Sequence, residues 1–489
     1  MVEFATDAKY DAVRYSHYRT QRVYRGTDED TALPYASRVQ LQERCKNLYR
    51  NNSLVRSIVD RYVTNVVGSG IYPHAITSDC MWNDINEEQF SYWSENCDIN
   101  DRLSLYDIQK LCIIDLFLSG EFLIILLGNG KIQKIDTSRL VTPTQTNDER
   151  KAREARGHLI VDGIELNSVG KIVGYHIAER ATDGTVDPAN TRYVEARNAI
   201  YVSERWTTDQ LRGTPLLSSV ITLIEDHDDL QKSVLAKARL EAKSALKVKL
   251  TNPSSQFSLP GELEEESEVT KLSPHEDPDR IQDIEGVSTY YLRDNEDVES
   301  VFNATPGNNY DAYDRRLIEK ISAAISLPYQ VTMMQFDNSF SSSRTAILQA
   351  YNAIEFRQNE LINKMLNRLY NWVTAKAIKS ELIPPAPLDI RGISEWYKVR
   401  WALPSKDWLD PSREAQANRT KYDMGITSLG MITRGMGNES EDVLREKGEE
   451  IARAIELAKD LSKETGAEIK WYHLISPPAG STIKLEDNK

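Results

Sequence analysis

Two imidazoles three or four residues apart on a helix can hold one metal ion, so histidine spacing is the first test for chemistry. The seven histidines, His17, His74, His158, His176, His227, His275 and His473, contain no such pair and read as surface or core side chains. Cys45, Cys80, Cys97 and Cys112 stand too far apart for a CxxC site and are expected as buried free thiols in a reducing cytoplasm. A triphosphate cradle would need GxxxxGK followed by Ser or Thr. A nucleophilic serine would need GxSxG, a zinc protease HExxH and a dinucleotide fold GxGxxG, and none of these is present. Carboxylates are abundant, and the densest run, Glu262 to Glu299, sets fourteen of them against Lys271, Arg280 and Arg293. Paired carboxylates in such a run could hold a nuclease metal. Scattered among Pro260, Pro274 and Pro278, they fit a solvated or partner-facing surface better. No catalytic residue, metal ligand or cofactor is expected.

Charge and composition narrow the classes further. The 489 residues carry 60 Lys and Arg against 74 Asp and Glu, a net charge of -14. A protein whose whole surface grips nucleic acid carries a basic surplus, because phosphate neutralisation drives its affinity; this chain cannot work that way. At 40% apolar and 27% charged residues the chain can bury a sizeable core, and its length suggests two to four domains. The longest apolar run, Phe122 to Leu127, ends at Gly128. It is far short of the roughly 18 residues that a membrane span needs. The opening MVEFATDAKYDAV lacks the basic-then-apolar pattern of a secretory signal.

The elements that would position any functional side chain follow from periodicity. Residues 1–39 are rich in Tyr and Arg with little apolar period and read as an extended arm. Leu41, Cys45, Leu48, Val55, Ile58, Val59 and Tyr62 keep helical spacing, broken near Asn51-Asn52 and stopped by Gly68-Ser69-Gly70. Further helices are expected over about 86–93 and 105–118. A hairpin over Glu121–Leu127 and Lys131–Ile135 should follow, turning at Gly128-Asn129-Gly130. More strands are expected near His158–Val161, Gly174–Ala178 and Ala199–Val202, so residues 40–210 form an α+β region.

Gly213-Thr214-Pro215 then opens the strongest helix, expected from Pro215 to about Leu246 with Thr214 as cap. About thirty residues at ~1.5 Å each would span roughly 45 Å, longer than a small domain is wide. Its first half carries Glu225, Asp226, Asp228 and Asp229. Its second half carries Lys232, Lys237, Arg239 and Lys243, with Lys247 and Lys249 just beyond. Acid early and base late suits the helix dipole, so stability alone could account for the pattern. The acidic, proline-rich excursion Asn252–Asn309 and a helix over about Tyr310–Ile325 come next. Tyr329 to Ser343 has few charges and reads as a loop before a long helix, Arg344 to about Ile378. A loop of that length inside a compact domain is often functional. Pro384-Pro385-Ala386-Pro387 reads as a stiff linker, and capped helices follow, one opened by Asp410-Pro411 and an amphipathic one over Glu439–Glu464.

Several of these stretches, in order, resemble the lambda-type family of phage portal proteins. Arg44-Cys45-Lys46-Asn47-Leu48-Tyr49-Arg50-Asn51-Asn52 with Val66-Val67-Gly68-Ser69-Gly70-Ile71 is similar to the family's opening pattern. Gly120-Glu121, Gly163-Ile164-Glu165-Leu166-Asn167 and Gly174-Tyr175-His176-Ile177 resemble its middle strands. Leu211-Arg212-Gly213-Thr214-Pro215 resembles the approach to its stem helix. Leu327-Pro328-Tyr329 and Phe336 to Arg344 resemble its tunnel-loop segment, and Asp410-Pro411-Ser412-Arg413-Glu414-Ala415 its C-terminal motif, with Arg413 where Lys is commoner.

The resemblance implies an α+β portal-type subunit in a ring, usually of twelve copies, at one capsid vertex of the virion. Assembly would take place in the host cytoplasm. Laid onto this chain it gives an arm (1–39), a wing (40–214), stem helix 1 (215–247), a clip (248–309) and stem helix 2 (310–327). A tunnel loop (328–343), a long linking helix (344–385), a crown (386–465) and a tail (466–489) complete it. Double-stranded DNA would pass through the ring at packaging and ejection. The tunnel-loop residues Tyr329, Gln330, Thr332, Met333, Met334, Gln335, Phe336, Asp337, Asn338, Ser339 and Phe340 would face it. Glu262, Glu264, Glu265, Glu266 and Glu268 of the clip would meet the terminase large subunit and later the head–tail neck or adaptor proteins. The wing would meet major capsid and scaffold proteins, with no membrane involved. Lys232, Lys237, Arg239 and Lys243 could then form a basic band toward DNA or pair with a neighbouring subunit's acidic surface. The rival readings are another ring-forming virion scaffold and a DNA-processing nuclease.

Overall fold

A computed structural model describes residues 33–144, 153–243, 247–249, 281–284, 287–292, 310–335, 340–404, 411–436, 438, 440–465 and 469–475. The chain divides into two compact units, Met1–Ser218 with Tyr351–Lys489, and Ser219–Ala350.

The first unit opens with helices α1 (Tyr35–Asn51) and α2 (Ser53–Val67). Asn52 makes the break between them: its amide donates to Leu48 O at 2.8 Å, and its side chain accepts from Val55 N at 3.1 Å. One residue thus closes α1 and caps α2. Helix α1 begins four residues before the expected Val39, directly after Pro34, so the proposed arm loses its last five residues to a helix. In α2 the side chains of Val55, Ile58, Val59, Tyr62, Val63, Val66 and Val67 are all buried, the stripe expected of a core-facing helix. Strand β1 (Tyr72–Ala75) and helices α3 (Cys80–Glu95) and α4 (Leu105–Leu118) follow. A Ser104–Asp107 capping box starts α4 where the sequence places it. Tyr62 meets Phe117 of α4 edge to face at 4.9 Å.

Two sheets complete this core. In the first, β2 (Glu121–Leu126) lies between β3 (Ile132–Ile135) and β8 (Ala199–Ser203), and all six of its residues are buried. A strand covered on both faces is apolar without alternation, and Phe-Leu-Ile-Ile-Leu is such a run. The second is an antiparallel meander of β4 (Leu159–Val161), β5 (Ile164–Leu166), β6 (Ile172–Arg180) and β7 (Val186–Glu195). Leu123, Ile125, Ile135, Leu140, Ile164, Tyr175 and Ile177 form one cluster across both sheets.

The second unit contains α5 (Ile221–Lys243), strands β9 (Lys247–Lys249), β10 (Ile281–Ile284) and β11 (Val287–Leu292), α6 (Tyr310–Ala324) and the short α7 (Tyr329–Met333). Here two expectations fail. Thr214-Pro215 does not open α5, which begins at Ile221 and spans about 35 Å at ~1.5 Å per residue. Residues just before it have better partners outside a helix: Leu216 and Leu217 donate their amides to Leu116 O (3.1 Å) and Phe117 O (3.5 Å). Leu217 is fully buried. The stretch 329–343 is also not one loop. Pro328 starts α7, and α8 (Phe340–Leu361) begins four residues before the expected Arg344.

From α8 the chain passes through a π-helical turn, Ile362–Leu366, into α9 (Asn367–Lys379). It returns as β12 (Val399–Ala402), which pairs antiparallel with β1, Tyr72 opposite Ala402. Residues 386–404 therefore pack into the first unit: Ile383 and Ala386 share a cluster with Ala75 and Trp82. The Trp82 indole donates to Pro384 O at 2.9 Å. Helices α10 (Pro411–Asp423), α11 (Leu429–Gly435), α12 (Ser440–Thr465) and α13 (Tyr472–Ile475) end the described chain.

Candidate functional site

The segment leading into α5 is held by a buried ionic knot. Glu121, at the start of β2, and Arg212 are 0% and 3% exposed. The Arg212 Nε donates to both Glu121 oxygens at 3.1 and 3.0 Å, and a terminal nitrogen reaches the same carboxylate. The remaining guanidinium donors go to the carbonyls of Leu140 (3.2 Å), Asp162 (2.6 Å) and Thr137 (3.1 Å). On the other side, Glu121 accepts from the Tyr201 hydroxyl at 2.5 Å and from Gly213 N at 2.9 Å. Burial alone would raise the Glu121 carboxyl, but the Arg212 charge and hydrogen bonds hold it below its ordinary value. Burial and the Glu121 charge push the Tyr201 hydroxyl up. A buried ion pair is tolerated when its lone pairs and protons are also hydrogen-bonded, and here they are.

Two glycines make this knot possible. A Cβ on Gly213 would stand 2.0 Å from Gly120 O, and one on Gly120, which has φ +75°, would stand 2.2 Å from the Thr214 carbonyl carbon. The motifs Gly120-Glu121 and Leu211-Arg212-Gly213-Thr214-Pro215, about ninety residues apart, are thus two halves of one structure. Nearby, Arg38 pairs with Asp162, and Arg357 grips Glu204 with two nitrogens at 2.6 and 2.8 Å.

In the second unit α5 and α6 are joined by His227, 3% exposed, whose Nε2 lies 2.8 Å from Asp314 Oδ1. Lys232 pairs with Asp228 (2.5 Å) and Asp229 (3.5 Å) of its own helix. Lys237 is half-buried, Arg239 exposed, and Lys243 ends α5. Of the tunnel-loop residues, Thr332 is buried with its hydroxyl donating to Pro328 O at 3.2 Å. Tyr329 is half-buried beneath the Arg315 guanidinium, 4.9 Å from its ring centre, and donates to Gln335 Oε1 at 2.7 Å. Gln330 and Met333 are half-buried, whereas Met334 and Gln335 are exposed. Met334 has φ +55° and terminates α7. Phe340 is the first residue of α8. Phe336, Asp337, Asn338 and Ser339, and the clip glutamates Glu262, Glu264, Glu265, Glu266 and Glu268, lie outside the described residues.

The sequence reading missed the meeting of two histidines. His158 Nδ1 and His176 Nε2 lie 2.8 and 2.9 Å from the two oxygens of Glu165, across neighbouring strands. Burial opposes ionisation of Glu165, yet hydrogen bonds from both imidazoles hold its carboxyl below the ordinary value. Among the described residues no group of His, Cys, Asp and Glu could hold a metal ion, and no helix is long and apolar enough to cross a membrane.

The family described as "Phage portal protein, lambda family" matches residues 18–358. The chain belongs to the lambda family of phage portal proteins. That family has a structural role in the virion, and the chain described above is a mixed α and β member of it. The chain is 23% identical over 450 residues to the probable portal protein of Halomonas phage phiHAP-1, covering 86% of this chain and 81% of that one. Among solved structures, a chain in the neck of an empty GTA (gene transfer agent) particle aligns with a TM-score of 0.44 and 10% identity. One in the neck of the native particle, computed with C12 symmetry, aligns with a TM-score of 0.42 and 11% identity. Each alignment covers 82% of this portal chain and 93% of the other.

Proposed function

We propose that this portal subunit assembles into a closed ring of about twelve copies at one capsid vertex, as a conduit and docking platform. DNA passes through the centre during packaging and ejection. The terminase large subunit and then the neck proteins dock on the acidic excursion between α5 and α6, and capsid and scaffold proteins meet the first unit. The observation that carries this reading is the order of elements in residues 219–350. Two helices joined by His227–Asp314 flank the acidic excursion, and a short, nearly uncharged segment follows them. In this reading α5 and α6 are the stem and the segment 328–343 faces the DNA.

Acidity suits the conduit: duplex DNA slides past a surface that repels it and would stick to a uniformly basic bore. For Lys232 the pairing within its own helix supports a stabilising role over a DNA-facing one. Shortening Met334–Ser339 tests the role of the segment while sparing α7 and α8. The variant should assemble normally and package or retain less DNA; normal packaging and retention would remove the segment from the conduit.

A further inference from the structure

Residues of α3, the β2–β3 turn and α9 enclose a hollow of about 440 Å³ in the first unit. Tyr92, Trp93, Trp372 and Leu382 give it apolar walls, and Lys131 and Lys376 are its cations. Tyr92 and Leu382 are 68% and 62% exposed, a large apolar surface left open to solvent. The turn holding one wall is fixed in place: the Trp93 indole donates to Gly130 O at 2.8 Å. The two cations differ. Lys131 pairs with Asp101, which lies outside the lining. Lys376 donates to the carbonyls of Leu127 and Gly128 and lies 5.1 Å from the Trp372 ring centre. No carboxylate is among the lining residues. Burial, and then the neighbouring Lys379, lower the Lys376 pKa, as expected of a cation set against apolar surface beside another cation. A hollow of this size, with aromatic walls and a cation but no carboxylate among its lining residues, fits an aromatic side chain with a carboxylate close to it in sequence.

We infer that this hollow takes the N-terminal segment Glu3-Phe4-Ala5-Thr6-Asp7, with Phe4 between the tryptophans and a flanking carboxylate toward Lys376. The segment has the matching chemistry, an aromatic residue with an acidic residue on either side. It lies outside the described residues, which begin at Leu33, and before the family match, which begins at residue 18. The chain before Leu33 can extend about 105 Å at ~3.3 Å per residue, so reach does not limit it. Docking would tether the basic residues Lys9 and Arg14, which lie before the family match.

The test uses the full chain with p-benzoylphenylalanine in place of Phe4, irradiated and mapped by mass spectrometry. The main cross-link should fall within 89–96 or 372–382. Glu3→Lys and Asp7→Lys together should lower its yield about threefold, the effect of a weak ion pair. Lys376→Met supplies the same test from the opposite side. Cross-links elsewhere, or a yield that the double reversal leaves unchanged, would overturn the assignment. The inference rests on the hollow and the segment alone, so its failure leaves the portal reading standing.

Discussion

Replacing Arg212 with Met tests the buried knot directly. Met keeps much of the volume but supplies none of the donors. The Leu140, Asp162 and Thr137 carbonyls each lose a donor, and Glu121 loses its closest counter-charge while remaining inaccessible to water. Removing one member of a buried, hydrogen-bonded pair costs about 3–5 kcal/mol, because the survivor stays desolvated. The pH dependence has a definite sign. In the parent protein the Glu121 carboxyl is lowered on folding: burial raises it, and Arg212, aided by Arg38 and Tyr201, more than reverses that. Its contribution is therefore present above the unfolded value of about 4.3 and lost as pH falls through the lowered one. Without Arg212 the burial effect is opposed only by the Arg38 charge and the Tyr201 and Gly213 hydrogen bonds, and the folded carboxyl should rise above the unfolded value. The variant then gains stability as pH falls through that raised value, and its deficit against the parent shrinks. Denaturant unfolding of both proteins at several pH values measures this. A deficit under about 1 kcal/mol at about pH 7.5, or one that grows on acidification, would refute the reasoning.

Further outcomes follow from single contacts. His227→Ala should destabilise the protein by about 1–3 kcal/mol, since Asp314 loses a partner against a buried ring, whereas Lys232→Ala, at an exposed pair, should leave stability essentially unchanged. Equal effects in denaturant unfolding would contradict the ranking. Burial pushes the Cys45, Cys97 and Cys112 thiols up to about 12, so native protein at about pH 8 should take one iodoacetamide adduct per chain, on exposed Cys80. Mass spectrometry showing rapid modification of the other three would contradict their burial.

Local signals carried much of the architecture. The helical stretch 105–118 located α4, Asn51-Asn52 located the break between α1 and α2, and Gly128-Asn129-Gly130 located the first hairpin. Strand β7 escaped because most of its side chains are exposed and Pro188 interrupts it, so no period of two marks it. Strand β1 is recognisable only through its partner β12, more than three hundred residues away. The start of α5 was misplaced because Thr214-Pro215 has the local form of a cap, while the amides after it are drawn to Leu116 and Phe117. The knot itself was half legible. Glu121 at the head of an apolar run and Arg212 before Gly213 stood out as motif residues, but only the fold shows that they answer each other's charge.

The ring is the central claim, and native mass with negative-stain imaging of the purified protein tests it most directly. Copies of 55.7 kDa closing as about twelve would give roughly 670 kDa. The account predicts a ring of that order with a central hole wide enough for duplex DNA. A solid particle, or a small closed oligomer with no hole, would contradict it.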